Sequence, residues 1–321
     1  MYPSRPSTKR CRAIGTAWTG VYPSAMPINE PAEALPTDGD GAVIERPTST
    51  TRMGVITMEA GSRKQRRDRL ATEEPMEIRV EEPRAEQRNV AVTMRTPGHD
   101  FDLAAGFLFT EGLIDGAQDV RGIRYCAVPR EEQHYNVVSV GVARMLVDFE
   151  MQRNFYATSS CGICGKASLD AIETRCAPVA DGPVVDAALL VALPDALRRA
   201  QSVFDRTGGL HAAALFDPAG KLLVVREDVG RHNAVDKVIG AELLAGRLPL
   251  SDRILLVSGR ASFEIVQKAA RAGIPIICAV SAPSSLAVDT ARRFGMTLAG
   301  FLRDERFNVY AGPQRIAGAT G

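Results

Sequence analysis

Two cysteines two residues apart, Cys161 and Cys164, stand in the run Thr158-Ser159-Ser160-Cys161-Gly162-Ile163-Cys164-Gly165-Lys166. A helical pattern follows directly, with Leu169, Ile172 and Cys176 at helical spacing. The pair is therefore expected at or just before a helix N-terminus. Unpaired backbone N–H groups there favour negative charge, which lowers a thiol from its free pKa of about 8.5. Flanking glycines permit close backbone approach. The stretch is suited to presenting a reactive sulfur. Three readings compete for such a pair: half of a structural zinc site or two inert thiols, a thioredoxin-like redox couple, or a carrier whose cysteine holds a persulfide. A closed zinc site needs four ligands, usually from a second close pair. Cys11, Cys126, Cys176 and Cys278 supply no second pair at that spacing. A thioredoxin motif follows the first strand of a small βαβ domain, whereas this one lies mid-chain between dissimilar halves.

Further polar groups gather in the C-terminal half. Asp228-Val229-Gly230-Arg231-His232-Asn233 is the densest polar cluster. It follows an expected strand and opens an expected helix. Arg231 and His232 can meet a ligand, and His232 can move a proton; helix capping without chemistry is the other reading. Ser258-Gly259-Arg260-Ala261-Ser262 and Ser281-Ala282-Pro283-Ser284-Ser285 each follow an apolar strand and join small residues to a helix start, which suits an anion. Arg303, Arg306 and Arg315 come after the last expected strand, and arginine grips phosphate bidentately. Neither a P-loop nor a G-x-G-x-x-G fingerprint is present, so no motif fixes the ligand.

The elements that must position these residues follow from periodicity. Strands are expected at 76–80, 89–95, 123–128 and 135–142, with a helix after Thr96-Pro97-Gly98-His99-Asp100 capped by Asp100. Pro194 is expected to open a helix to about residue 205. A hairpin is expected at 212–227 around Asp217-Pro218-Ala219-Gly220. Strands at 254–258, 274–280 and 297–301 then alternate with helices at 233–245, 262–272 and 284–294, with Ser284 as a cap. This reads as an α/β unit with a largely parallel, buried sheet, whose ligands bind beyond the strands' carboxyl ends. The domain division is a disordered tail at 1–70, a small α+β domain at 71–157, and the CxxC loop with the α/β domain at 158–321. The tail is rich in Pro, Ser, Thr and charge; its basic run at 63–69 reads as solvated, or as a docking segment for an acidic partner.

The chain has 321 residues and a formal charge of +1. That length accommodates two domains, and the near-neutral balance argues against bulk nucleic-acid binding or a polybasic membrane anchor. No apolar run reaches membrane-spanning length. Six irregularly spaced cysteines do not resemble a disulfide framework and suit a reducing compartment.

Several motifs, in order, resemble the formate dehydrogenase accessory proteins of the sulfurtransferase (FdhD) family. They are Thr96-Pro97-Gly98-His99-Asp100 with Ala105-Gly106-Phe107-Leu108, Ser160-Cys161-Gly162-Ile163-Cys164-Gly165, Thr207-Gly208-Gly209-Leu210-His211, the run 227–237, and Ser258-Gly259-Arg260. The resemblance covers roughly residues 73–316. It implies a cytoplasmic, homodimeric sulfur carrier that takes persulfide sulfur from a cysteine desulfurase. It also implies delivery to the molybdenum cofactor, in its bis(molybdopterin guanine dinucleotide) form, before that enters formate dehydrogenase. On this likeness Cys161 carries the sulfur and Cys164 assists, with no resident metal. The stretch Phe301, Leu302, Arg303, Asp304, Glu305 and Arg306 is implied in cofactor binding, together with Ser258, Gly259, Arg260, Arg231 and His232. The larger C-terminal domain is implied to be cytidine-deaminase-like, beside the smaller α+β N-terminal domain. Deamination itself is not expected, because Ala212 and Ala213 follow His211 where the H-x-E motif needs a glutamate. The carboxylates of Asp304 and Glu305 would repel phosphates unless they turn away. The alternative is a non-enzymatic nucleotide-cofactor chaperone with a structural or zinc-binding CxxC.

Overall fold

A computed structural model describes residues 46–126, 134–146, 178–179 and 181–319. Cys161 and Cys164, with the helix expected after them, lie outside the described residues. A two-stranded ribbon comes first, β1 (Thr50–Glu59) and β2 (Ser62–Ala71). β3 (Glu74–Glu81) and β4 (Arg88–Arg95) lead into helix α1 (Asp100–Thr110). β5 (Val120–Tyr125) and β6 (Val137–Val142) complete a four-stranded sheet in the order β4-β3-β6-β5. After a short β7 (Val185–Asp186), helices α2 (Ala187–Ala200) and α3 (Ser202–Thr207) precede the hairpin β8 (His211–Phe216) and β9 (Leu222–Asp228). The alternating part follows: α4 (Arg231–Leu244), β10 (Ile254–Val257), α5 (Phe263–Arg271), β11 (Ile276–Ala279), α6 (Ser285–Arg293) and β12 (Thr297–Arg303). β13 (Arg306–Ala311) and β14 (Ile316–Ala317) end it.

The larger sheet has the order β13-β12-β11-β10-β8-β9. Its centre, β10-β11-β12, is parallel, while β8 and β13 join antiparallel. The sheet is thus mixed rather than largely parallel. Only the crossovers through α5 and α6 demand parallel neighbours, whereas tight hairpins attach β9 and β13. Alternation along the strands feeds two cores. Ala213, Leu215, Leu255, Val257 and Ile277 face α1, α4 and the small sheet's Met76, Ile78 and Val140. Ala212, Ala214, Phe216, Ile254 and Leu256 face Leu190, Leu193 and Leu197 of α2. Each large apolar side chain so buried contributes about 1.5–3 kcal/mol. The two sheets therefore share one core through α1 and α4.

That junction depends on two glycines. A Cβ on Gly106 of α1 would lie 1.9 Å from the Asp236 carbonyl oxygen. One on Gly240 of α4 would lie 1.9 Å from the Asp102 carbonyl oxygen. The helices meet backbone to backbone through rows four residues apart.

Several expectations are corrected. Residues 50–70 are not part of a structureless tail. They pair over ten register positions around a two-residue turn at Ala60 (φ 47°) and Gly61 (φ 84°). Such a turn matches strand twist, and periodicity hid the ribbon because neither face covers a core. Pro194 does not open a helix; it lies inside α2, which starts at Ala187. The hydrogen bond it forgoes is offset by the buried leucines around it. Asp100 does not cap α1. His99 holds the cap position with φ 55°, and the Asp100 carboxylate accepts from Gly98 N (3.2 Å), Arg95 (3.0 Å) and the Tyr125 hydroxyl (3.2 Å). Ser284 does cap α6, accepting from Ala287 N at 3.2 Å.

Gly240→Ala is expected to destabilise the protein by about 3 kcal/mol or more, because its methyl must displace backbone rather than a side-chain end. Urea denaturation measures it; a loss no greater than that of an exposed helical substitution would refute the crossing.

Candidate functional site

The carboxyl ends of β10, β11 and β12 lie along one edge with the start of β8 and the end of β9. His211 pairs with Asp228 across the hairpin. Ala212 N donates to Ser258 Oγ at 2.9 Å, and Ser258 N returns a bond to the Ala212 carbonyl at 2.9 Å. Ser281 N donates to the Gly259 carbonyl at 3.4 Å, and Phe301 N to the Ser281 carbonyl at 3.1 Å. An open cleft of about 620 Å³ runs along this edge. His211, Val229, Ser258 and Val280 line it from the sheet side, and Arg198 and Phe204 from the helices. Glu227, on β9, accepts from Val203 N (2.9 Å) and Phe204 N (2.7 Å), fixing α3 as the cleft's wall.

His211 lines this edge; the sequence reading named it in the 207–211 motif and as lacking the H-x-E glutamate, but gave it no site role. A Cβ on Gly259 would lie 3.3 Å from its Nδ1, so glycine keeps that side of the imidazole open. Burial, then the positive charge of Arg231, lowers its pKa below the ordinary histidine value; Arg260 adds to this and Asp228 opposes it. A neutral imidazole can accept or donate one proton. Arg231 opens α4, and its Nε is buried without a hydrogen-bond partner among the described residues. Arg260 is exposed. Neither guanidinium is ion-paired within 4.0 Å among the described residues. Two unpaired cations near His211 suit an anionic ligand there, while the exposed Asp195 carboxylate lines the helix side of the cleft.

The rest of the 228–237 motif is framework. Asp228 is fully buried, with Lys237 Nζ 2.7 Å from its Oδ2. It also accepts from Thr96 N (3.1 Å), Gly230 N (2.8 Å) and Asn233 Nδ2 (3.0 Å). Lys237 donates to the Thr96 carbonyl at 2.9 Å, and Asn233 to the Met94 carbonyl at 2.7 Å. These bonds tie the Thr96-Pro97-Gly98 turn to the start of α4 and so aim Arg231. The density of the two motifs was the available signal, but their partnership is visible only in three dimensions.

His232 points elsewhere. Its Nε2 lies 3.2 Å from Ser262 Oγ and 3.7 Å from a Glu264 oxygen, at the start of α5. It is not among the cleft-lining residues. Burial, then Arg231 and Lys268, lowers its pKa to about 4. The segment 301–306 forms the β12–β13 hairpin. Phe301 (φ 56°) sits at the strand edge, Leu302 is buried, and Asp304 (φ 52°) and Glu305 (φ 58°) make the turn. Arg303 pairs across with Arg306, its guanidinium 5.7 Å from the Phe301 ring centroid. Residues 303–306 are all exposed and outside the cleft lining. Of the expected site residues Ser258 lines the cleft, Gly259 packs beside His211, and Arg231 and Arg260 reach His211 through their charge, with Phe301 next along the edge. His232 lies against Ser262 and Glu264, and residues 303–306 form the exposed hairpin tip. Among the described residues no three His, Cys, Asp or Glu side chains converge as metal ligands.

The FdhD/NarQ family model matches residues 71–317. The chain belongs to the FdhD/NarQ family. The sulfur carrier protein FdhD of Streptomyces avermitilis is 55% identical over 275 residues, covering 84% of this chain and 96% of its own. That of Mycobacterium tuberculosis is 54% identical over 260 residues, covering 78% and 92%. A crystal structure described as a formate dehydrogenase accessory protein, from Desulfotalea psychrophila, superposes with a TM-score of 0.65 at 30% identity. It covers 83% of this chain and 99% of that one. As an FdhD/NarQ member, the chain has the family match on the motifs from Thr96 to Arg260.

His232 should make this FdhD/NarQ member acid-sensitive. Between its folded pKa of about 4 and the ordinary 6.5, the unfolded chain takes up a proton that the folded chain does not. Stability contributed above pH 6.5 is therefore lost as pH falls towards 4. Asp236, raised by burial from 3.8 to about 6, works in the opposite sense over pH 6 to 3.8. His232→Gln is expected to lose about 2 kcal/mol less than the native chain between pH 7 and 4.5. Urea titrations at both pH values measure the difference; equal losses would assign the acid limb to other groups.

Proposed function

We propose that this chain is a sulfur carrier in maturation of formate dehydrogenase. The observation that carries the reading is its 55% identity, over 96% of their length, to proteins named sulfur carriers, joined to the Cys161–Cys164 pair. Cys161 as thiolate attacks the terminal sulfur of a cysteine desulfurase persulfide. The donor cysteine leaves as thiolate, and Cys161 holds the persulfide. Attack by Cys164 on the Cys161 sulfur expels the terminal sulfur as sulfide. It leaves a Cys161–Cys164 disulfide, so the pair supplies the two electrons that the acceptor does not. A thiol reductant regenerates the pair. This is sulfurtransferase activity, carried out in the cytoplasm. In this reading the acceptor is the molybdenum cofactor, as bis(molybdopterin guanine dinucleotide), a substrate passed on to formate dehydrogenase.

The cleft edge is the proposed seat of the cofactor's nucleotide. Arg231 and Arg260 receive phosphate charge, Ser258 and Gly259 allow close backbone approach, and neutral His211 offers a hydrogen bond. The 301–306 hairpin joins from the neighbouring strand end, with Asp304 and Glu305 turned into its tip; His232 orders the α5 start behind Arg231. The proposal includes a homodimer and a cytidine-deaminase-like arrangement of the larger domain without deamination. It also keeps the division of the chain near residue 158, with the ribbon of residues 50–71 joined to the N-terminal part.

The first test is mass spectrometry of the 161–164 peptide after incubation with a cysteine desulfurase and cysteine. The sample is alkylated without reductant, with zinc assayed in parallel. One added sulfur on Cys161, abolished in Cys161→Ala, is expected. Unmodified thiols with stoichiometric zinc would replace the carrier by a cofactor chaperone with a structural CxxC. Arg260→Ser is expected to weaken GDP binding about tenfold by calorimetry while leaving Cys161 loading intact. Unchanged GDP affinity would move the nucleotide off this edge.

A further inference from the structure

The ribbon β1–β2 takes no part in the cleft chemistry, yet its charges are sorted by face. Directly opposed residues of an antiparallel pair share a face. The register sets Arg52 against Arg69, Gly54 against Arg67, Ile56 against Gln65 and Met58 against Arg63. Four exposed arginines thus share one face with Ile56 and Met58, which are 52% and 67% exposed. The ribbon's two carboxylates lie on the other face and are consumed there. Asp68 pairs with Arg66 at 3.2 Å and Glu59 with Lys64 at 3.3 Å. Arg66 Nε also donates to Thr57 Oγ1 at 2.8 Å on that face. Among the described residues, none of Arg52, Arg63, Arg67 and Arg69 has a carboxylate partner.

Folding does not call for this arrangement. Like charges placed opposite each other destabilise a ladder, and a two-stranded ribbon is marginal alone. The face suits a partner instead. Arg63 and Arg69 stand about 20 Å apart along the strand, a length that several carboxylates of a partner surface can meet bidentately. Arginine and methionine are enriched in protein interfaces, where lysine is depleted. The two lone apolar side chains on this face have no counterpart on a phosphate backbone. The whole-chain charge of +1 supplies no extended field for nucleic acid.

The ribbon's root lies at the cleft. Thr72 N donates to the Ser49 carbonyl at 3.0 Å, and Thr96 Oγ1 donates to the Thr72 carbonyl at 2.9 Å. A Cβ on Gly209, a cleft-lining residue, would lie 3.6 Å from the Ala71 Cβ. We propose that the arginine face of the ribbon docks a protein surface in which carboxylates are interleaved with apolar side chains, holding that partner beside the cleft. The proposal does not depend on the sulfur-carrier reading.

The test uses the full chain and fluorescence anisotropy at physiological salt. Its probes are a labelled peptide of alternating Glu and Leu, an equally charged peptide of Glu and Ser, and a DNA duplex. The Glu–Leu peptide should bind, and more tightly than either other probe. The combined variant Arg52→Gln, Arg63→Gln, Arg67→Gln and Arg69→Gln should weaken it about tenfold or more. Lys64→Gln with Arg66→Gln, on the opposite face, should change it less than about twofold. Ile56→Ser with Met58→Ser keeps every charge and should reduce Glu–Leu affinity to that of Glu–Ser. This holds the proposal testable if the fourfold variant loses the ribbon. No peptide binding, equal losses from both faces, indifference to the Ile56 and Met58 change, or tighter binding of DNA would each overturn it.

Discussion

The buried carboxylate of Asp228 is the constraint from which the site follows. A charge this deep is costly unless its lone pairs are filled. Here Lys237 stands 2.7 Å away, and Thr96 N, Gly230 N and Asn233 Nδ2 complete the shell. Two partners come from the turn into α4, one from α4 a turn further on, and one from the loop that follows β4. Satisfying one oxygen pair thereby fixes the small sheet, the end of β9 and the first turn of α4 against one another. Arg231 and His211 inherit their positions from that fixation.

The same helix carries a second buried ionic set. Lys268 donates to Thr110 Oγ1 (2.9 Å), Glu111 (2.9 Å) and Asp236 (3.0 Å). Burial raises the Asp236 pKa while Lys268 holds it down. Because α4 is buried around most of its circumference, its polar residues had to be paired rather than turned outward. Charges that remain unpaired are therefore informative. Near the cleft, among the described residues, they include Arg231, Arg260 and the cleft-lining Asp195; on the ribbon they are the arginines of one face.

The alternating core was legible because β10 and β11 are short apolar runs each closed by a helix start. β10 and β11 are buried throughout, and Ser284 announced its helix through its side chain. The ribbon was not legible, since β1 and β2 have no core to face and so show no alternation of apolar and polar residues. The β12–β13 hairpin was hidden for a different reason: its turn uses Asp304 and Glu305 at positive φ, where glycine or asparagine is the usual signal. At the site, Ser258, Gly259, Arg260 and Arg231 were readable as small or basic residues at strand ends. His211 was quoted in its motif without a role, because a histidine opening an alanine-rich strand gives no local sign of what two arginines and a glycine will place around it. His232 adjoins Arg231 in sequence, but helical rotation turns it toward Ser262 and Glu264, a partnership no local pattern announces.

Where α1 and α4 cross at Gly106 and Gly240, no side chain lies between the two backbones to act as a bearing. Neither helix can roll or slide over the other without collision between main-chain atoms. The two sheets are consequently welded at that point, and a load applied to one passes undamped to the other. Any adjustment the protein makes when its cleft is filled must then be absorbed by the strand-end loops, while the framework beneath them keeps its shape.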